Sequence, residues 1–126
     1  MKFFSDLQVD ERVIKALEEM GFIEMTEVQA RVIPAVLAGK DVIAQSITGS
    51  GKTAAFGVPI CEKAEQGKGL QAVIIGPTRE LVNQVSAEMQ KFGKNKHLSV
   101  ATVFGGVSME PQIQKIRSCI LVVQEN

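Results

Sequence analysis

The chain is poor in the residues from which several kinds of site are built. Its 126 residues include 2 cysteines and 1 histidine. Cys61 and Cys119 stand far apart and share no ligand-like spacing with His97, which argues against a zinc centre. Both cysteines read instead as small core residues of a protein in a reducing compartment. A surplus of one charge is also lacking, since 14 Lys+Arg balance 14 Asp+Glu. Without a global positive field, contact with RNA or DNA would need a local surface. No stretch approaches the ~20 apolar residues of a membrane span. The Phe3-Phe4 pair runs at once into Ser5-Asp6, so no secretory apolar core forms. A cytoplasmic location without membrane partners is expected. The composition, 45% hydrophobic and 22% charged with 11 Gly and 4 Pro, fits one folded domain and excludes collagen-like or disordered chains.

What is present alternates between helical and strand patterns. Val13, Ile14, Leu17 and Met20 recur at helical spacing behind Asp10, a candidate N-cap, and Gly21 follows where a left-handed C-terminal residue would stand. This predicts a helix from Asp10 to Met20. Thr26-Glu27-Val28-Gln29 has the form of a capping box, and Val28, Val32, Ile33 and Val36 supply an apolar stripe for a second helix, bent or ended near Pro34. From Asp41 the pattern changes. Val42-Ile43-Ala44 reads as a short strand leading into Thr48-Gly49-Ser50-Gly51-Lys52-Thr53 and a helix. Ala72 to Ile75 repeats the strand, followed by a helix carrying Leu81, Val85, Met89 and Phe92 on one face. Glu65 to Gly69 reads as a polar turn, Ser99 to Phe104 as a third strand, Ser108 as the cap of a short helix with Ile113 and Ile116, and Cys119 to Val123 as a fourth strand. Strands separated by helices imply right-handed crossovers and a parallel α/β sheet. Its last strand is expected to have nothing on its outer side.

A phosphate site needs inward-pointing backbone N–H groups, a helix N-terminus, a cation and a hydroxyl for Mg²⁺. Gly49 to Thr53 offers all of these directly after a strand, with Lys52 for the phosphates and Thr53 for the metal. The strict pattern asks for glycine where this chain has Ser46. Pro77-Thr78-Arg79-Glu80-Leu81 falls at the C-terminal end of the second strand, the edge where open parallel sheets bind ligands. Taken alone it also reads as a threonine-capped helix start with an exposed arginine. Gly105-Gly106 stands at the matching end of the third strand, where missing side chains let a phosphodiester backbone approach. Lys91, Lys94 and Lys96 read as a solvated helix end.

Together these segments resemble a known family. Gly21-Phe22, Thr26 and Gln29, then Ala44 to Thr53, then Pro77 to Leu81 with Gln84, then Gly105-Gly106, are similar in order and spacing to the N-terminal half of a DEAD-box ATP-dependent RNA helicase core, up to about Arg117. The resemblance implies a RecA-like P-loop NTPase fold of three layers, here incomplete. Residues 1–40 would form a helical segment with the adenine-recognition motif, and residues 41–126 part of the nucleotide-binding domain. It implies that ATP or ADP with Mg²⁺ is held by Phe4, Phe22, Thr26, Gln29, Ser46, Thr48, Gly49, Ser50, Gly51, Lys52 and Thr53. In that scheme the Gln29 amide reads the adenine edge and Phe4 packs on the base. Pro77, Thr78, Arg79, Glu80, Gly105 and Gly106 would contact the RNA backbone without sequence preference. Met25 replaces the family's proline, and Glu27-Val28 its Pro-Ile.

Hydrolysis asks for more than a phosphate loop, because a carboxylate must hold Mg²⁺ and orient water. The aspartates are Asp6, Asp10 and Asp41, and none ends a strand on the nucleotide side. The family's Asp-Glu-Ala-Asp, Ser-Ala-Thr and Thr-Pro-Gly-Arg segments do not occur, nor does its second RecA-like domain with the arginine finger. The leading expectation is an N-terminal helicase part that binds nucleotide, touches RNA weakly and neither hydrolyses nor unwinds alone. A second domain or another protein would dock at the exposed sheet edge. Two alternatives are a non-catalytic module that binds RNA or a helicase, and a small P-loop kinase or NTPase using Glu125. Glu125 otherwise reads as an exposed tail residue.

Overall fold

Three apolar runs come together as a parallel sheet. The computed structural model describes residues 2–45, 51–105 and 118–125, and the expected helix behind Ser108 lies outside them. The strands are β1 (Ala72–Gly76), β2 (Val100–Val103) and β3 (Ile120–Gln124). The order is β1-β3-β2, with Ala72 beside Ile120 and Val100 beside the same residue. The strand latest in sequence is therefore the central one. Ile120, Leu121 and Val122 are buried in succession, the signature of a strand covered on both faces. This corrects the expectation of an uncovered last strand: β3 has a partner on each side, and among the described residues β1 and β2 form the edges.

The helices follow their capping signals. Helix α1 (Glu11–Glu19) starts where the Asp10 side chain accepts from the Arg12 backbone N–H, and it buries Val13, Ala16 and Leu17. Gly21 takes φ +84 just beyond its end, a conformation that costs glycine nothing. Helix α2 (Glu27–Leu37) opens with the Thr26–Gln29 capping box, and α4 (Arg79–Phe92) with the Thr78 hydroxyl accepting from Leu81 N–H. Pro34 does not end α2; the helix continues through it to Leu37. Helix α3 (Lys52–Lys63) likewise runs through Pro59.

A single apolar cluster joins these layers, from Phe4, Leu7 and Val13 through Ile33 and Val58 to Met89, Phe92 and Val122. Fully burying a side chain such as Leu17 or Phe92 contributes roughly 1.5–3 kcal/mol. On α4 the buried face is Val82, Val85, Ser86, Met89 and Phe92, whereas Leu81 is 42% exposed. Val85, Met89 and Phe92 keep the face expected of them, and only Leu81 leaves it, because Val82 takes the buried position in the first turn. Cys61 and Cys119 are both buried free thiols, and burial pushes the Cys61 thiol up to about 12. Among the described residues no helix is long and apolar enough to cross a membrane.

Two further expectations fail. Residues 41–45 form no strand, and Ile43 is wholly exposed. A strand is held by a hydrogen-bonded neighbour, and an apolar run without one stays irregular. Lys96 is not solvated. Its Nζ donates to the carbonyls of Cys61 (2.7 Å), Glu62 (3.0 Å) and Ala64 (2.7 Å), closing the C-terminal end of α3 with a cation where the helix dipole favours one.

Candidate functional site

The N-terminal end of α3 is built in the opposite way. Gly51 adopts φ +78 as its N-cap residue, and among the described residues no side chain caps the first turn. A helix start of this kind directs its leading N–H groups and the positive end of its dipole outward, a setting that suits an anion. Lys52 is exposed and Thr53 half-buried, both within that first turn. Together they provide the polar side chains of a cleft of about 490 Å³, lined otherwise by apolar and backbone groups that include Phe56 on α3, Val73 to Gly76 on β1 and Leu81 and Val85 on α4. Ser46, Thr48, Gly49 and Ser50 lie outside the described residues.

Gln29 holds this turn from a distance of 22 residues in sequence. Its Oε1 accepts from Thr26 N–H at 2.8 Å, and its Nε2 donates to the Gly51 carbonyl at 3.0 Å. The side chain is 2% exposed, so both bonds are shielded from water. A Cβ at residue 51 would collide with Gln29 Nε2, which makes glycine necessary there both for φ and for space. Sequence reading set capping and adenine recognition against each other for this amide. The structure gives it the capping box and, in addition, a bond to the Gly51 turn at the start of α3 that no local pattern announces.

The aromatic residues assigned to the nucleotide, Phe4 to its base and Phe22 to the site, are placed differently from one another. Phe4 is 1% exposed and meets Phe22 edge to face, with centroids 5.6 Å apart and planes at 84°. Phe22 is half-buried and in turn contacts Phe92 at 5.8 Å. Phe4 is therefore a core residue in this arrangement, its faces taken by protein. Thr26 is exposed at the start of α2.

A second group gathers at the C-terminal ends of β1 and β2. Pro77, Thr78, Arg79 and Glu80 are exposed where β1 turns into α4. The capping role of Thr78 is realised at 3.1 Å from Leu81 N–H. The Arg79 guanidinium lies over the Phe104 ring, its Cζ 4.3 Å from the centroid, which joins this turn to the end of β2. Gly105 is half-buried next to Phe104, and Gly106 lies outside the described residues. Sequence reading missed Phe104, because a cation–ring contact across 25 residues leaves no local signal. Glu125 is exposed, and its backbone N–H continues the sheet ladder to the Gly76 carbonyl at 2.7 Å.

Known proteins share this arrangement. The chain is 47% identical over 118 residues to the DEAD-box ATP-dependent RNA helicase CshA of Geobacillus kaustophilus, covering 93% of this chain and 25% of that protein. It is 46% identical over 118 residues to the ATP-dependent RNA helicase CshA of Listeria monocytogenes, covering 93% and 23%. The chain thus spans about a quarter of the length of the curated relatives it matches. Among solved structures, a DEAD box protein from the hyperthermophile Methanococcus jannaschii superposes with a TM-score of 0.91 at 36% identity, over 98% of this chain and 34% of that one. A hypothetical ATP-dependent RNA helicase from Sulfolobus tokodaii gives 0.80 at 40% identity, over 91% and 34%. The DEAD/DEAH box helicase model matches residues 26–125. On these grounds the chain belongs to the DEAD/DEAH box helicase family, and its parallel sheet with flanking helices is part of that family's RecA-like domain.

Proposed function

We propose that these residues form the nucleotide-binding and part of the RNA-binding surface of an ATP-dependent RNA helicase. The observation that carries this reading is the start of α3: a left-handed Gly51, no capping side chain, and Lys52 and Thr53 beside an open cleft. Such a turn suits a nucleotide polyphosphate, with Lys52 on the phosphates and Thr53 as a ligand of Mg²⁺. Ser46, Thr48, Gly49 and Ser50 would complete the loop. The bound Mg²⁺ would neutralise charge on the phosphate oxygens. Gln29, already bonded to Gly51, couples the adenine end formed by residues 1–40 to the phosphate loop. Phe22 and Thr26 stand on the same segment. Phe4 would contact a base only after parting from Phe22.

Pro77 to Glu80 with Gly105 and Gly106 would follow an RNA backbone, contacting phosphate and sugar without reading sequence. Hydrolysis and unwinding draw on groups beyond these 126 residues, so nucleotide binding without turnover is the activity proposed here. A further RecA-like domain of the helicase would supply the rest.

Titration with ADP and GDP in the presence of Mg²⁺, followed by calorimetry, tests the reading. Lys52→Ala is expected to weaken ADP binding by about 30-fold, the worth of one charge-assisted phosphate contact. Gln29→Ala is expected to reduce the preference for ADP over GDP. Unchanged ADP affinity in Lys52→Ala would remove the phosphate assignment, and unchanged discrimination in Gln29→Ala would confine that residue to capping and tethering.

A further inference from the structure

Arg79 is held unlike the other paired cations of the described residues. Lys2, Arg12, Arg31 and Lys68 face carboxylates, while Lys63 and Lys96 donate to helix-end carbonyls. Arg79 has neither kind of partner among the described residues, and its Cζ lies instead over the Phe104 ring, 4.3 Å from the centroid. The guanidinium carbon thus sits over a ring, and among the described residues no carboxylate or carbonyl takes up its N–H donors. Phe104 itself is packed against the core at the end of β2. A ring anchored on the core therefore lies under an exposed cation.

We propose that Phe104 is a positioning residue for RNA: its ring holds the Arg79 guanidinium oriented for bidentate contact with a backbone phosphate. This rests on the reading of Pro77 to Glu80 as RNA surface. A free arginine must give up side-chain freedom when it grips a phosphate, and stacking removes much of that cost beforehand. The ring also selects arginine over lysine, because an ammonium has no plane to lay flat and no fork of donors. Phe104 adds no charge, so it acts on affinity without altering the number of counterions released.

The test is fluorescence anisotropy of the 126-residue chain with labelled single-stranded oligouridylate of about 12 nucleotides, long enough for one such path, across a salt series. Phe104→Leu keeps an apolar side chain of similar size and is expected to weaken binding about three- to tenfold, with an unchanged salt slope. Phe104→Tyr, which keeps the ring face, is expected to bind within about twofold of wild type. Arg79→Ala is expected to weaken binding at least as much and to lower the salt slope by about 1. In the Arg79→Ala background, Phe104→Leu is expected to add nothing. Arg79→Lys disturbs no packing and remains informative if Phe104→Leu fails to fold. It is expected to keep the salt slope but lose affinity, and full affinity in this variant would overturn the proposal. Additive losses in the double variant, or wild-type binding by Phe104→Leu when Arg79→Ala is impaired, would also overturn it and leave the RNA surface standing. Wild-type binding by both single variants would remove the RNA role of Arg79 as well.

Discussion

The two ends of α3 are a natural experiment in how one helix can be finished. At its C-terminal end the Lys96 ammonium satisfies three carbonyls, and the Glu62 carboxylate accepts from Asp10 N–H at 2.7 Å. At its N-terminal end, Gly51 leaves the first turn without a capping side chain, and Lys52 projects into solvent. A helix end that serves stability is saturated by the protein's own groups. An end proposed for binding, as here, is one whose N-cap residue has no side chain to bond the first turn, which would leave donors for a ligand at some cost in intrinsic stability.

The contrast can be broken most severely at the saturated end. Lys96→Met should remove the cation and strand the carbonyls of Cys61, Glu62 and Ala64, costing about 3 kcal/mol in urea unfolding. Nucleotide affinity of the molecules that remain folded should be little changed. A stability loss no larger than that of an exposed lysine variant would contradict the structural role. Gly51→Ala should act at the open end through strain at φ +78 and collision with Gln29, costing about 1–2 kcal/mol in stability and also weakening ADP binding. Thermal melts with and without ADP would separate the two effects, and a variant as stable as wild type would show that the Gln29 contact does not constrain the turn.

The smallest expected effect lies next to the saturated end, at Asp10. Its carboxyl is held well below the usual range, chiefly by the side-chain hydrogen bond from Arg12 and then by the Arg12 backbone N–H. Because the folded state lowers this pKa, the contribution is present above the unfolded value, ~3.9, and is lost as pH falls below it. Asp10→Asn should flatten the decline of stability below about pH 4 and leave the neutral-pH ordering of the other variants intact. An unaltered acid limb in urea midpoints would place the acid sensitivity on other carboxylates.

Much of the fold was legible because its signals are local. Asp10, Thr26 with Gln29, and Thr78 each cap the helix their spacing announced, since a cap depends on residues two or three positions away. The strands at residues 72–76, 100–103 and 120–124 likewise followed from apolar runs. The run at residues 42–44 has the same composition and no strand, because its fate rests on a neighbour in space. At the site, the Gly51-Lys52-Thr53 turn could be read directly, whereas the residues that support it could not.

The sequence by itself determined the helix starts, the alternation of helices and strands, the glycine turn before Lys52 and the family, all properties of short segments or of their order. Tertiary structure alone decided that the last strand is the central one, that Lys96 caps a helix more than 30 residues earlier, that Gln29 grips Gly51 and that Arg79 lies on Phe104. Those outcomes depend on which groups are brought together when apolar surface leaves water. That drive is non-directional, so no local pattern encodes the pairing it produces.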